Sequence, residues 1–387
     1  MALITAISLF GDSMLYIALP IHWREAGLTS LVEVGILLSA NRFIRLPLNP
    51  LISWIFTKLS IRDGMIIAVI IAGTTTFLYG WANSFLYWLI LRCIWGIAWS
   101  IIRLGAYFMI FDSTTIENRG HLMGTYNGIS RLGTLVGMLA GGFFVEWFGI
   151  RNVAVLFGIL AIMVLPAVLI YIPNTKNRQV TLRTKLTVAS LANQPILVWM
   201  LLTVFIVMLC LEGILTASLS HLIDVRKHMD FSFYGMLIGA AAIAATIQAS
   251  RLVIGAFLSP WIGKKTDGKW GREAALSVIL FLASVMVFVI PSNIPLGFWL
   301  LNLLALLLTT TLLITIMDIS ISAIVSNETK VAIVTVYVIV ADVGASFGPF
   351  LGYLFERTLG LSTTYWIAAT VLMLLSFRWM IALARRV

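Results

Sequence analysis

Apolar stretches of about twenty residues recur from one end of this chain to the other, each broken off by a short polar loop. A helix needs about 20 apolar residues to cross a hydrocarbon core roughly 30 Å thick, so the pattern predicts membrane spans rather than half-buried helices of a soluble domain. Twelve are read, near residues 2–22, 31–56, 65–82, 86–110, 122–147, 153–172, 195–222, 234–258, 274–290, 297–325, 331–354 and 364–384. The longest polar and basic interruption, from Pro173 to about residue 194, falls between spans six and seven. It predicts a cytoplasmic linker, 173–194, joining an N-terminal six-helix bundle, 1–172, to a C-terminal one, 195–387. The expected fold class is an all-α membrane protein of twelve transmembrane helices.

Composition agrees with this solvent assignment. Of 387 residues, 60% are hydrophobic and 11% charged, against roughly 25% charged in soluble domains, and mean hydropathy is +1.02. Cys93 and Cys210 lie inside apolar spans, which suggests neither a disulfide framework nor a metal site. His22, His121, His221 and His228 show no ligand spacing, and neither a phosphate-binding loop nor a nucleophile motif is present. No cofactor is expected, and enzyme chemistry and nucleotide-driven pumping lose their support. The first segment lacks a basic leader region and a small-residue cleavage site, so it reads as a retained helix.

Charge adds orientation. Lys58, Arg62, Lys176, Lys264, Lys269 and Arg385 typify the many basic residues on the side of the termini, whereas the opposite side has only Arg24, Arg151, Arg226, Lys227 and Arg357. Cytoplasmic loops carry the Lys and Arg excess, so a multi-pass protein of the cell membrane with both termini cytoplasmic is expected. The net charge of +10 is thereby partly a topology signal and gives little reason to invoke nucleic acid.

The two halves repeat. Sliding the second over the first by 211 residues places Tyr126 on Tyr337, Arg131 on Asp342, and Gly133, Gly137, Gly141 and Gly149 on Gly344, Gly348, Gly352 and Gly360. Gly133-Thr-Leu-Val-Gly137-Met-Leu-Ala-Gly141-Gly142 in span five resembles the Gly-x-x-x-Gly-Pro-x-x-Gly-Gly signature of the antiporter branch of the major facilitator superfamily. Met138 replaces its proline, but span eleven supplies Gly344-Ala-Ser-Phe-Gly348-Pro349. Small residues four apart also simply let helices approach closely. Arg92-Cys-Ile-Trp-Gly96 is similar to the family's Arg-x-x-x-Gly in span four. After span two the family's Gly-x-x-x-Asp-Arg-x-Gly-Arg is poorly kept, with Ser53, Thr57 and Ser60 at its glycine and aspartate positions. The resemblance implies two pseudo-symmetric bundles enclosing a substrate site near the midplane, with gating at Gly137, Gly348, Pro349 and Asp342.

Seven arginines fall within spans, Arg42, Arg45, Arg92, Arg103, Arg131, Arg251 and Arg378, against the acids Asp12, Glu212, Asp318 and Asp342. Each costs at least about 2.5 kcal/mol at bilayer depth, so they face the bundle interior or a wet cavity. In span two, Asn41, Arg42, Arg45 and Asn49 form a polar stripe, the arginines about 16 to 21 Å from the helix start. Pro47 and Pro50 follow, freeing carbonyls. The arginines act on substrate or gate, or else form a structural ion pair. Asp12, expected beside Arg42 or Arg45, is either a proton carrier or a static counter-ion, with Glu212 the second candidate and Arg92 a coupling partner or a packing residue. Asp342 either pairs with Arg42 or Arg45 or bonds to backbone nearby. Arg103, Arg131, Arg251, Tyr126 and Tyr337 complete the candidate substrate site, and Arg378 reads as a snorkelling anchor.

These readings converge on a secondary transporter exporting a small anionic or amphipathic molecule against inward proton flow. Its expected partners are that substrate, protons and lipid, and a monomer is expected. Proton-coupled uptake, or a non-transporting or lipid-handling role on the same scaffold, are the alternatives.

Overall fold

A computed structural model of the chain describes residues 1–113, 116–174, 195–226, 231–233, 236–266, 272–324 and 330–384. Most of the expected linker, 175–194, lies outside them. Span one is two helices, α1 (Ala2–Ser8) and α2 (Phe10–Ala18); spans two to four are α3 (Leu31–Ile55), α4 (Ile61–Leu78) and α5 (Phe85–Ser113). Spans five and six run together as α6 (Ile116–Ile162), followed by α7 (Leu165–Tyr171). Span seven is α8 (Pro195–Val207), a π-helical segment Met208–Leu215, and α9 (Thr216–Arg226). A short hairpin, β1 (Phe231–Phe233) against β2 (Met236–Ile238), precedes span eight, α10 (Ala240–Thr266). Spans nine to twelve are α11 (Arg272–Val289), α12 (Leu296–Ile324), α13 (Lys330–Leu359) and α14 (Leu361–Ala384). The result is the all-α, twelve-span membrane fold. Large apolar side chains such as Ile170, Phe257, Leu301 and Leu374 are exposed, as a chain solvated by lipid requires.

Local chemistry sets the helix ends. Ser30 accepts a hydrogen bond from the Glu33 N–H at 3.4 Å, and Glu33 accepts one from the Thr29 N–H at 2.7 Å. Ser60 accepts from the Asp63 N–H at 3.1 Å and donates to the Asp63 carboxylate at 2.7 Å. Both satisfy N–H groups that the first helical turn leaves without partners. Gly149 has φ 76° and divides α6 at the turn between spans five and six, and Gly360 has φ 88° between α13 and α14. These glycines are 211 residues apart, and only glycine adopts that backbone without strain. Another related pair is Trp88, which donates to the Ala26 carbonyl at 3.0 Å, and Trp299, which donates to the Ile290 carbonyl at 2.8 Å.

The chain packs as two compact units, Met1–Leu182 with Leu219–Thr246, and Arg183–Ser218 with Ile247–Val387. The first thus takes in the end of span seven and the start of span eight. Within it, Gly142 of α6 packs on Ala241 and Ala245, and the Glu146 carboxylate accepts hydrogen bonds from the N–H groups of Gly239, at 2.8 Å, and Ala242, at 3.4 Å. An acid in that position meets the positive end of the helix dipole and caps α10.

Candidate functional site

In the first unit, three predicted residues meet. Asp12 of α2 is paired with the Arg92 guanidinium of α5, through Nη1, and accepts from Asn41 Nδ2 of α3 at 2.7 Å. Arg92 Nε donates to the Leu37 carbonyl at 3.1 Å. Arg92 is 0% exposed, Asn41 2% and Asp12 9%. The Arg-x-x-x-Gly spacing has a steric cause: a Cβ on Gly96 would stand 2.7 Å from the Asn41 carbonyl. Glycine therefore lets α5 lie against α3, which carries Arg92, one turn earlier, to Asp12. The sequence placed Asp12 beside Arg42 or Arg45. Those arginines follow Asn41 on α3, yet the guanidinium that meets Asp12 is the one from span four.

Arg42 Nε instead donates to the Tyr16 hydroxyl at 3.1 Å, with its guanidinium carbon 5.5 Å from that ring's centroid. Arg45 Nε donates to the Asn41 carbonyl at 3.0 Å. Arg103 Nε donates to the Tyr107 hydroxyl at 3.3 Å, and the Tyr107 ring packs edge-on to Tyr126 at 6.1 Å. Arg42, Arg45, Arg103 and Asn49 are half-buried, Tyr126 is buried and Arg131 is exposed.

The second unit contains its own carboxylate and arginine. Glu212, in the π-helical segment of span seven, pairs with Arg251 Nη2 of α10, and Arg251 Nε donates to Thr311 Oγ1 of α12 at 3.1 Å. Tyr337 donates to the Asp318 carboxylate at 2.8 Å. The Asp342 carbonyl accepts from Ser346 at 2.5 Å. Arg378 lies over the Trp199 ring at 4.6 Å. Sequence reasoning missed Thr311, a span threonine with no special spacing, and Glu146, which sits at a span end.

The glycine stripes act inside each unit. Gly133, Gly137 and Gly141 pack on Ala6, Phe10 and Met14 of span one, and a Cβ on Gly137 would stand 2.8 Å from the Phe10 backbone. Gly344, Gly348 and Gly352 pack on Phe205, Gly213 and Ile214 of span seven, with Gly348 and Gly213 in backbone contact. Buried Pro349 follows Gly348 within α13. Gly137 also meets Ser13, so the contacts with Ser13 and Met14 match those with Gly213 and Ile214, which aligns Asp12 with Glu212. A shift of 210 residues aligns Asn41 with Arg251. Each unit thus carries a span-one-type carboxylate bonded to an equivalent position of the next helix.

Cys93 and Cys210 are free thiols, and no cluster of metal-ligating residues occurs among the described residues.

Comparison with known proteins places this architecture. The model of the Major Facilitator Superfamily matches residues 1–326. A curated relative, the multi-drug resistance efflux pump PmrA homolog of Lactococcus lactis subsp. lactis (strain IL1403), is 26% identical over 152 residues, which are 37% of this chain and 37% of the relative. The matched segment therefore spans little over a third of that relative's length. Among solved structures, a bacterial homolog of the human lysosomal transporter Spinster, inward-facing and occupied, superimposes with TM-score 0.77 at 16% identity, covering 98% of this chain and 95% of its own. A mutant of the nucleoside transporter NupG gives TM-score 0.80 at 12% identity, covering 98% of both chains. The repeated bundles, the buried charge pairs and the family match lead to one conclusion: this chain is a transporter, not an enzyme, and belongs to the Major Facilitator Superfamily.

Proposed function

We propose that the protein is a proton-coupled exporter of a small anionic or amphipathic molecule, working by alternating access of its two bundles around a midplane site. The observation that carries this reading is the Asp12, Asn41 and Arg92 constellation: a carboxylate at mid-span, almost wholly buried, whose cation comes from a different helix. Protonating Asp12 removes the negative charge that holds Arg92, and breaking a buried pair in this way is worth about 3–5 kcal/mol. That is enough to bias one conformation over another. Glu212 and Arg251 supply a second pair of the same kind. Arg42 and Arg103, half-buried over the rings of Tyr16 and Tyr107, and half-buried Arg45 favour an anionic group with aromatic or apolar surroundings.

Export is favoured by the glycine signature of spans five and eleven and by the name of the Lactococcus relative. The same residues serve proton-driven uptake, so direction is decided by experiment. Proteoliposomes with an imposed pH gradient, screened with anions against cations, provide it. Anion flux driven by the gradient and lost in Asp12→Asn is expected. Gradient-driven flux that survives both Asp12→Asn and Glu212→Gln would sink the coupling assignment.

A further inference from the structure

Threonines inside spans ordinarily return their hydroxyl to their own helix, as Thr75 does to the Ile71 carbonyl at 2.7 Å, Thr203 to Trp199 at 2.7 Å and Thr310 to Leu306 at 2.9 Å. Thr76 does not. Buried tyrosines likewise find partners: Tyr353 donates to the Ala217 carbonyl at 2.8 Å, and Tyr365 meets Ser218 at 2.6 Å. Tyr79 does not. Thr76 Oγ1, Asn41 Oδ1 and Arg92 Nη2 are buried without a partner at ordinary hydrogen-bond distance among the described residues, and the Tyr79 hydroxyl has only the Arg92 guanidinium near it.

The four residues lie around Asp12. Asn41 and Arg92 both bond to Asp12. Thr76 packs against Gly11, the residue before Asp12, and a Cβ there would stand 2.8 Å from Thr76 Oγ1. Tyr79 is three residues from Thr76 on the same helix face, and its hydroxyl lies in the field of Arg92 and Asp12. The set is chemically complementary: an amide oxygen that only accepts, a guanidinium nitrogen that only donates, and two hydroxyls that do both. Buried polar groups are satisfied by protein or by ordered water, and a water needs two to four such partners. Here the partners come from α3, from α4 with the turn that ends it, and from α5, around a charged pair whose acid is on α2.

We propose that Asn41, Thr76, Tyr79 and Arg92 form a water-binding chamber inside the first unit, contiguous with Asp12, through which a proton reaches that carboxylate. The route enters at the end of the bundle where Tyr79 stacks on Trp88, centroids 5.1 Å apart. That end is covered by the loop after span one, whose Ala26 carbonyl binds Trp88. Each water or hydroxyl along the chain accepts one proton and releases another, so the net change is one proton gained by Asp12. A proton path confined to one bundle leaves the substrate path free for a molecule too large to share it. The route rests on the proton role proposed for Asp12, whereas the chamber stands on its own.

Two measurements on the full chain in detergent test it. X-ray radiolytic labelling in ¹⁸O-water reports bound water beside a side chain. Tyr79, 1% exposed, should take up label about tenfold faster than Tyr353, 2% exposed but satisfied by protein. Thr76→Val should slow labelling of Tyr79. Equal inertness of the two tyrosines would overturn the chamber. Infrared spectra over a pH titration, with Asp12→Asn to assign the carboxyl band, then follow its deuteration. Tyr79→Phe should slow deuteration several-fold, and an unchanged rate would remove the route. A titration without any Asp12-dependent band would instead sink the proton role, while the labelling still decides the chamber.

Discussion

At the scale of single residues, the buried Asp12 and Arg92 pair makes the sharpest demands. Arg92→Met leaves a carboxylate without its cation at near-complete burial and should destabilise the protein by about 3–5 kcal/mol. The thermal midpoint in detergent checks this. Adding Asp12→Asn to the same chain should restore most of the loss, because the uncompensated charge is then gone, and a double variant as unstable as Arg92→Met would argue that packing rather than charge is responsible. Arg42→Ala and Arg45→Ala act on different contacts, with Tyr16 and with the Asn41 carbonyl. Each should weaken anion binding, read by equilibrium dialysis, by about tenfold, the loss of one charge-assisted hydrogen bond. The sequence identified Asp12, Asn41 and Arg92 individually, because charge at bilayer depth is conspicuous. It could not assign the pairing: Arg42, Arg45 and Arg92 lie on neighbouring helices, and which of them meets Asp12 depends on how α5 seats against α3 at Gly96.

At the scale of elements, the glycine stripes define where helices touch. Gly137→Val and Gly348→Val should each lower the thermal midpoint markedly, because the added atoms meet the backbone of Phe10 and of Gly213. Gly297→Ala, where a Cβ meets nothing within 4 Å, is the matched control and should leave it unchanged. Equal effects would show that these stripes are not close-packed seams. Span positions were legible because length and hydropathy alone specify them. The seams were legible as spacing, although spacing could not say that each stripe packs on span one or span seven of its own unit. Glu146 was not legible at all: an acid at the end of an apolar run looks like a solvated loop residue until the start of α10 is seen to lie against it.

At the scale of the whole molecule, the charge distribution sets an expectation for orientation. Single cysteines placed at the termini in a chain lacking Cys93 and Cys210 should react with impermeant thiol reagents in inside-out but not right-side-out vesicles, as the Lys and Arg distribution expects. The opposite pattern would reverse the topology. Substrate class was less legible, because a recognition surface assembled from several helices has no sequence period of its own.

The π-helical segment in span seven carries a consequence for how the two halves came to differ. If one ancestral bundle was copied, both copies began with the same helical register, and the glycine contacts still match at a shift of 199 residues before the segment and 200 within it. A single inserted residue accounts for the change. The wider π-helical turn absorbs that residue, so Glu212 keeps the place that Asp12 has in the first half. Excising one residue at Leu209 would give span seven the residue count of its twin and, by the same alignment, keep the acid opposite Arg251, so the charge pair should outlast the loss of the π-helical turn.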